Sequence, residues 1–289
     1  MDILPLLSGD QPTLSFEFFP PKDQGGAEAL LETVQELSVL DPAFVSVTYG
    51  AGGTTREQTR NVVQRIMGET GVPTVPHLTC IGHSKEEMTA ILDGYAKDGV
   101  NTLLALRGDP PRNQPDYDRS QDDFQYARDL VAFIKDHPHP FTIGVAGFPE
   151  GHPNMPNRLV EMEHFQAKVD AGADYICTQL FFDNRDLYDY RERCSLVGID
   201  LPIVAGVMPI MTQQSMTRMA ELAAGSRFPA ALLRPLLAAG DDAAAFRQEG
   251  INYATAQCQD LRKNGISGIH LYTLNKSKAT KQIVEGLKA

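Results

Sequence analysis

Several charged and polar side chains lie inside or just after short apolar runs, and their types and spacing could support acid–base chemistry. Glu17 stands within the run LSFEFF, where alternation along a strand puts Ser15 and Glu17 on one face and Phe16 and Phe18 on the other. A lone carboxyl group facing a closed interior loses solvation when it ionises, which favours the protonated form that a general acid needs near neutral pH. A buried carboxylate paired with Arg or Lys for stability is the alternative interpretation.

Two further polar residues follow or interrupt apolar runs. Asp109 comes directly after Arg107-Gly108. It indicates either a fixed negative charge facing a cationic intermediate, or a simple Arg–Asp ion pair, or a turn aspartate before Pro110-Pro111. Gln179 lies in an apolar run, where an amide without partners would cost roughly 1–3 kcal/mol. It therefore indicates either a ligand with several donors and acceptors or a hydrogen bond within the core.

Other motifs carry weaker signals. The loop Gly50-Ala51-Gly52-Gly53 could bind phosphate at a helix N-terminus or form a tight turn, and it matches neither GxGxxG nor GxxxxGK[ST]. His77 and His152 are accompanied by no HExxH or paired-carboxylate spacing, so no metal site is predicted. Lys168, in AKVDAG, indicates a cation that reaches a phosphate or a solvated lysine.

Eight β-like runs alternate with helical patterns, and these elements must position the polar residues. The predicted strands are Leu14–Phe19, Ala43–Tyr49, Thr74–Cys80, Asn101–Arg107, Phe141–Gly147, Tyr175–Phe181, Pro202–Val207 and Gly268–Thr273. The predicted helices are Ala27–Ser38, Thr55–Gly68, Ser84–Asp98, Glu161–Ala171, Asp186–Leu196 and Thr212–Ala224. Capping boxes are predicted for Thr54 with Glu57 and for Ser84 with Glu87.

The strand–helix–strand order implies parallel βαβ units, and eight of them favour an α/β fold of the closed (β/α)8 TIM-barrel type over an open doubly wound sheet. The polar Asp109–Asp123 stretch is predicted to be an active-site loop. Arg227–Gln248 adds a helical excursion before the last strand. Within it, Pro229–Leu237 is predicted either as an interface or as a cover for the barrel floor. No linker is evident, so residues 1–289 are predicted to form one catalytic domain, with its site at the C-terminal ends of the strands.

Composition excludes several classes of protein. The chain has 289 residues, 42% of them hydrophobic, and 26 Lys+Arg against 37 Asp+Glu give a net charge of −11. That balance disfavours binding to nucleic acid or to an anionic membrane. There is no apolar run long enough to span a bilayer, no secretory signal, and no CxxC pair among the four cysteines. A cytoplasmic protein with reduced thiols is therefore expected.

A series of motifs in a fixed order resembles the 5,10-methylenetetrahydrofolate reductase family, in its bacterial single-domain form. The matching segments are Ser15–Pro21, Val47–Gly53, Pro76–Cys80, Leu106–Pro110, Phe148–Pro153, Lys168–Ala173, Thr178–Asp183, Gly206–Ile210 and Tyr272–Asn275. The resemblance implies a barrel that binds FAD at its mouth without a Rossmann module. It implies a ping-pong reaction in which NAD(P)H reduces the flavin and methylenetetrahydrofolate then accepts the hydride, supplying methyl groups for methionine synthesis. A homo-oligomer is expected.

The resemblance also implies roles for individual residues. Glu17 corresponds to the general acid that protonates the folate nitrogen released on ring opening, and Asp109 to a carboxylate beside the pterin and the flavin. Gln179 and Lys276 correspond to folate contacts, Lys276 near the glutamate tail. The implied FAD-binding residues are Thr48, His77, Arg107, Gly108, Asp109, Tyr126, Ala127, His152, Glu161, His164 and Lys168.

Two other functions compete with this one. Because a fold alone does not fix chemistry, a flavin-free barrel enzyme such as a pterin-dependent methyltransferase or a lyase is the first alternative. A non-catalytic folate-binding or assembly protein is the second. Convergence of several polar groups on one barrel mouth argues against the second.

Overall fold

A closed barrel of eight parallel strands, in the order β1-β2-β3-β4-β5-β6-β7-β8, forms the centre of the protein. The computed structural model describes residues 2–9, 11–21, 23–50, 56–110, 114, 116–155, 157–223 and 225–288. The strands are β1 Thr13–Phe18, β2 Phe44–Val47, β3 Thr74–Thr79, β4 Thr102–Leu106, β5 Thr142–Gly147, β6 Tyr175–Thr178, β7 Ile203–Val207 and β8 Gly268–Tyr272. The helices are α1 Leu4–Leu7, α2 Gln24–Ser38, α3 Arg56–Thr70, α4 Lys85–Lys97, α5 Ala127–Lys135, α6 Arg158–Asp170, α7 Asn184–Leu196, α8 Gln213–Leu222, α9 Ala230–Ala239, α10 Ala243–Lys263 and α11 Ser277–Lys288.

The predicted TIM barrel is confirmed, and each predicted strand and helix has a counterpart within a few residues. Ser84 caps α4, and the capping box with Glu87 is present. The predicted box of Thr54 with Glu57 and most of the Gly50–Gly53 loop involve residues 51–55, which lie outside the described residues.

Three helices were not predicted from the sequence. The helix α1 has four residues, too few for a periodic pattern to be visible. The helix α5 is short, and it follows the polar stretch that is predicted to be one loop. The helix α11 directly follows the last strand and closes the outer layer against α10 and α2.

Alternation along β1 sends its side chains to two different regions, as predicted. Phe16 and Phe18 are fully buried in the layer between strands and helices. Ser15 and Glu17 point the other way, into the barrel, where Ser15 contacts the imidazole of His270. Because every strand alternates in this way, side chains of one parity line the barrel interior and those of the other parity anchor the helices.

The floor of the barrel, at the N-terminal ends of the strands, is closed by apolar contacts. The helix α1 places Ile3 and Leu7 against Phe44, Tyr175 and other interior residues. The Tyr175 ring fills the interior beside Gly144, where a Cβ atom would overlap that ring. The floor is therefore a packed core, and the polar interior residues lie above it.

The excursion before the last strand is helical, as predicted, and consists of α9 and the start of α10. Leu232 and Leu236 of α9 pack with Leu180 and Phe182, which follow β6, and with Ile210, which follows β7. This position is at the C-terminal side of the strands. The alternative in which Pro229–Leu237 covers the barrel floor is therefore wrong.

The four cysteines are free and buried. In the described part of the chain, no helix combines the length and apolar character needed to cross a membrane.

Candidate active site at the barrel mouth

Glu17 lies near the C-terminal end of β1 and faces the barrel interior, with 6% of the residue exposed. Its Oε2 atom is 3.4 Å from Nε2 of His77 on β3 and 3.6 Å from Nε2 of His270 on β8. Within the described residues no Arg or Lys forms an ion pair with it, so the alternative of a stabilising Arg or Lys pair is wrong. The carboxyl group instead stands between the imidazoles of His77 and His270.

The backbone around Glu17 is fixed by barrel closure. Strand β1 pairs with β8 so that Glu17 stands opposite Tyr272, and with β2 so that it stands opposite Ser46. Beyond the strand pair, Thr273 donates its hydroxyl to the Glu17 carbonyl at 2.6 Å. The Asn275 side chain then bonds both the N–H and the carbonyl of Phe19, at 2.8 and 2.9 Å. The end of β1 is thus held by the loop that follows β8.

Strand β3 presents two buried polar atoms without partners to the mouth. His77 Nε2 and Thr79 Oγ1 find no hydrogen bond in the described part of the chain. Burial lowers the pKa of His77, the Glu17 charge acts in the opposite direction, and His270 adds to the lowering. Buried polar atoms are costly to leave unpaired, so both atoms are well placed to bind a ligand.

The end of β4 carries Arg107, Gly108 and Asp109. Cys80 and Ile81 donate their N–H groups to the carbonyls of Leu106 and Arg107, so the β3–β4 pairing continues past the strands and fixes this turn. Gly108 has φ +83°, and a Cβ atom there would lie 2.6 Å from Ile81 Cγ2 and 2.8 Å from Thr79 Cβ. A side chain at position 108 is therefore excluded both by conformation and by space.

Asp109 is exposed at this turn, at the open side of the mouth. No ion pair joins it to Arg107 in the described residues, so the alternative of a simple Arg–Asp pair is wrong. Its carboxylate remains available to a ligand.

A second group of predicted residues lies around the loop after β5. The N–H of His152 donates to Oε1 of Glu161 at 2.6 Å, and Arg158 donates to Oε2 at 2.9 Å. Burial lowers the pKa of His152, and the charges of Arg107, Glu161, Lys168 and Asp109 also act on this imidazole. The structure thus brings the end of β4, the His152 loop and helix α6 together in one charged environment.

Lys168 points inward from α6 and is not a solvated lysine. Its ammonium group donates to the carbonyl of Ala146 on β5 at 2.7 Å and lies 4.6 Å from the Phe165 ring centre. Burial lowers its pKa to about 8, partly offset by Glu161 and Cys194.

Tyr126 and Ala127 stand at the start of α5. The Tyr126 N–H donates to Asp129, and its half-exposed ring lies 6.3 Å from the His164 ring on α6. The two helices therefore present an aromatic pair at the edge of the mouth.

The remaining predicted residues lie apart from these contacts. Thr48 continues β2 by donating its N–H to the Phe18 carbonyl. The backbone N–H of Gln179 donates to the carbonyl of Gly147. The side-chain oxygen of Gln179 accepts from the N–H of Leu180, the next residue, so this amide is used locally. Lys276 is exposed after β8, and only its backbone N–H is bonded, to Thr273, in the described residues.

His270 was not identified from the sequence as a residue of the site. Its Nδ1 lies 2.8 Å from Ser15 Oγ and its Nε2 lies 3.1 Å from Ser46 Oγ, and the ring stacks on Phe44. The available signal was the same one that identified Glu17, a polar residue inside an apolar strand. The predicted closed barrel implies that β8 lies beside β1, but no pattern in the sequence fixes the register that places His270 opposite Ser15.

Together the fold and site define a (β/α)8 barrel with a polar, ligand-accepting mouth. The family model of methylenetetrahydrofolate reductase matches residues 3–288. The chain is 35% identical over 279 residues to the 5,10-methylenetetrahydrofolate reductase of Escherichia coli, covering 96% of this chain and 91% of that protein. The chain belongs to the methylenetetrahydrofolate reductase family.

Relatives from eukaryotes are longer. Methylenetetrahydrofolate reductase 1 of Schizosaccharomyces pombe is 38% identical over 277 residues, which is 95% of this chain and 46% of that protein. Methylenetetrahydrofolate reductase (NADH) 1 of Arabidopsis thaliana is 38% identical over 287 residues, 96% of this chain and 48% of that protein. The chain thus spans about half the length of these two relatives.

The fold also resembles solved structures at low sequence identity. A protein from Clostridium thermocellum that binds two copies of 5-methyl-5,6,7,8-tetrahydrofolic acid superposes with a TM-score of 0.70 at 13% identity, covering 98% of this chain and 96% of that one. At 13% sequence identity, this similarity is evidence for a shared fold alone.

Proposed function

We propose that the protein reduces 5,10-methylenetetrahydrofolate to 5-methyltetrahydrofolate with a bound FAD and with NAD(P)H as hydride source, in a ping-pong reaction that supplies methyl groups for methionine synthesis. The observation that carries this proposal is the buried Glu17 carboxyl group between His77 and His270, below an open mouth in a chain of this family. A single catalytic barrel domain in the cytoplasm, acting as a homo-oligomer and binding neither nucleic acid nor membrane, completes the proposal.

The residues at the mouth fit a flavin. His77 Nε2 and Thr79 Oγ1 are buried and make no hydrogen bond among the described residues, and the turn at Gly108 packs its backbone closely against Thr79, so no side chain projects there. Backbone that must approach a ligand closely favours glycine. When bound, FAD would take a hydride from NAD(P)H and pass it to the folate.

The cofactor would be held by the residues that the family resemblance implies for it. They are Thr48, His77, Arg107, Gly108, Asp109, Tyr126, Ala127, His152, Glu161, His164 and Lys168. Arg107 and Lys168 supply positive charge for a diphosphate, and His152 is held near them by Glu161. Lys168 uses one of its three ammonium hydrogens on the Ala146 carbonyl, which leaves two for an anion.

Glu17 would act as the general acid. Its Oε2 proton is transferred to the folate nitrogen that ring opening releases, and the surrounding burial keeps bulk water from competing for that proton. Asp109 would stabilise the cationic, ring-opened folate by its fixed negative charge. Gln179 would bind the pterin by its amide, and Lys276 would attract the glutamate tail.

A visible spectrum followed through two half-reactions tests this function. The purified protein, reconstituted with FAD if necessary, is expected to be yellow, with the visible absorption of an oxidised flavin. It should bleach under anaerobic NADH or NADPH, and regain colour on addition of methylenetetrahydrofolate but not of tetrahydrofolate. A protein that cannot bind FAD, yet turns over a folate, would favour the flavin-free methyltransferase or lyase. Folate binding without turnover would favour a binding protein.

A further inference from the structure

The loop that follows β8 extends the strand pairing of the barrel past the end of β1. Near that end, Glu17 is opposite Tyr272 of β8. In a parallel ladder every second residue of a strand bonds the same neighbour through both its N–H and its carbonyl, so Phe19 is the next residue to bond toward β8. Leu274 and Asn275, however, have φ of +51° and +57°, so the backbone after β8 turns out of the strand direction there.

The side-chain amide of Asn275 takes the place of backbone groups in this pairing. Its Oδ1 atom accepts the Phe19 N–H at 2.8 Å, and its Nδ2 atom donates to the Phe19 carbonyl at 2.9 Å. A backbone N–H can only donate and a carbonyl can only accept, so the two partners fix the orientation of the amide. No titratable group takes part in either bond. The Asn275 amide therefore forms the last rung between β1 and the chain that follows β8.

Asparagine combines two properties that this position requires. It adopts the left-handed backbone conformation more readily than most residues, and its amide offers both a donor and an acceptor. Aspartate would offer acceptors alone, and glycine would offer no side-chain bond. The preceding Leu274 is bulky and lies in the same left-handed region. Such strained conformations persist where the surrounding structure enforces them, and they cluster at functional sites.

A second series of hydrogen bonds runs from Asn275 to Glu17. The Asn275 N–H donates to the Thr273 hydroxyl at 3.0 Å, and that hydroxyl donates to the Glu17 carbonyl at 2.6 Å. The Thr273 N–H also donates to this carbonyl, at 3.3 Å. Thr273 is 6% exposed, so its hydroxyl is largely shielded from water. The backbone of Glu17 is thus held at its own carbonyl by Thr273 and two residues later by the Asn275 amide.

We propose that Asn275 is a positioning residue for Glu17. Its amide and the Thr273 hydroxyl fix the backbone from Glu17 to Phe19, so that the Glu17 carboxyl group keeps its direction when a folate binds. The inference rests on the proposed function for the role of Glu17, whereas the contact of Asn275 with Phe19 does not depend on it. Asn275 acts through the backbone of β1 and not on the reacting atoms.

A double-mutant cycle with Glu17 tests this role. Asn275→Gly permits the positive φ but removes both side-chain bonds, so folate-driven flavin reoxidation should slow about tenfold, as expected for the net loss of a hydrogen bond. Flavin reduction by NADH should stay within about twofold of wild type, and in a Glu17→Gln background Asn275→Gly should change reoxidation by less than about twofold. An unchanged rate of reoxidation, an equal loss in both half-reactions, or a full loss that persists in the Glu17→Gln background overturns the proposal.

Substitutions of Thr273 provide a second test that does not require Asn275→Gly to fold. Thr273→Val nearly keeps the shape of the side chain but removes the hydroxyl, so it should also slow reoxidation, and only when Glu17 is present. Thr273→Ser keeps the hydroxyl and should retain the wild-type rate. Equal rates of reoxidation in these two variants overturn the proposal.

Asn264→Gly is the matched control. Asn264 also bonds the backbone through its side chain, donating to the Asp260 carbonyl at 2.9 Å, but it precedes β8 and so lies at the opposite end of that strand. The substitution should leave both half-reactions unchanged. A loss equal to that of Asn275→Gly would show a general effect of removing an asparagine side chain near β8, and the proposal would fail.

Hydrogen exchange detects the contact with Phe19 without turnover. Pro20 and Pro21 have no N–H, so Phe19 is the last exchangeable amide in fragments that end at Pro21. Mass spectrometry of these fragments should show a protected Phe19 amide in the wild type that exchanges about tenfold faster in Asn275→Gly. Equal exchange in the two proteins overturns the proposal. The expected exchange in a wild type that does not reduce FAD with NADH or NADPH would refute the proposed function and leave the contact established.

Discussion

The mouth and the floor of the barrel are built from the same eight strands, yet their side chains follow different rules. At the floor, Leu7 of α1 and Ile3, which precedes that helix, seal the interior against Phe44 and Tyr175. At the mouth, His77 and Thr79 carry buried polar atoms without partners in the described residues. In barrels of this type the floor serves stability and the mouth serves chemistry. Changes at the mouth should therefore affect turnover first, and changes at the floor should affect folding first.

The largest expected effect is at the mouth. Glu17→Gln keeps the size of the side chain but removes the donated proton, so folate-driven flavin reoxidation should fall about 10²–10⁴-fold. Flavin reduction by NADH should stay within about threefold, because no proton from Glu17 is needed there. Stopped-flow absorbance of each half-reaction measures both.

Glu36→Gln is the matched control, because Glu36 is paired with Lys281 on the protein surface. It should leave both rates unchanged. Equal loss of both half-reactions in Glu17→Gln would mean that Glu17 supports the site as a whole and does not act as its acid.

The second effect is at the floor. Leu7→Ala removes a buried side chain from the interior cluster, and the cavity should lower the free energy of unfolding by about 2–4 kcal/mol. Activity at 25 °C, where the variant is still folded, should change less than twofold. Denaturant unfolding and steady-state assays test the two statements, with the exposed Leu237→Ala as control. A large loss of turnover in folded Leu7→Ala would contradict the separation of floor and mouth.

Two glycines sharpen the comparison, since both have positive φ but different surroundings. Gly108 at the mouth has φ +83° and no room for a Cβ, whereas Gly99 on the floor side has φ +79° and no atom within 4 Å of the place where a Cβ would lie. Gly108→Ala and Gly99→Ala introduce the same backbone strain. Only Gly108→Ala also overpacks the mouth, at a cost of about 1–2 kcal/mol. We therefore expect only Gly108→Ala to weaken FAD binding, by about tenfold. Flavin titration by fluorescence quenching measures this difference, and equal affinities would show that the Gly108 turn does not contact the cofactor.

The smallest effect concerns an ion pair on the outer layer. Arg60 donates to both carboxylate oxygens of Asp98, at 2.6 and 3.0 Å, and this holds the pKa of Asp98 below its ordinary value. Because the folded-state pKa is lowered, the pair stabilises the fold above the unfolded pKa near 4, and this contribution disappears as pH falls through the folded-state value.

Asp98→Asn should therefore cost about 0.5–1 kcal/mol at pH 7, a value reduced by the exposure of Arg60, and less at pH 3. Thermal unfolding at the two pH values measures it. A cost that is the same at both would show that the charge of Asp98 is not the source.

The sequence was sufficient for the periodic part of the structure. Strand alternation placed Glu17 inward and Phe16 and Phe18 outward, and the helical patterns located α2, α4 and α7 to within a few residues. These features are local, because they follow from two residues per strand repeat and 3.6 per helical turn. The helix α1 was not predicted because four residues are too few to show a helical repeat.

Only the tertiary structure decided which interior residues meet. Ser15 and His270 are 255 positions apart and touch because β8 closes the barrel against β1. The contact between His152 and Glu161 likewise depends on how the loop after β5 folds back on α6. Sequence alone determines the chemistry each side chain could offer and the face on which it lies. Register and closure, which depend on the packing of all eight strands at once, determine the neighbours that tune that chemistry.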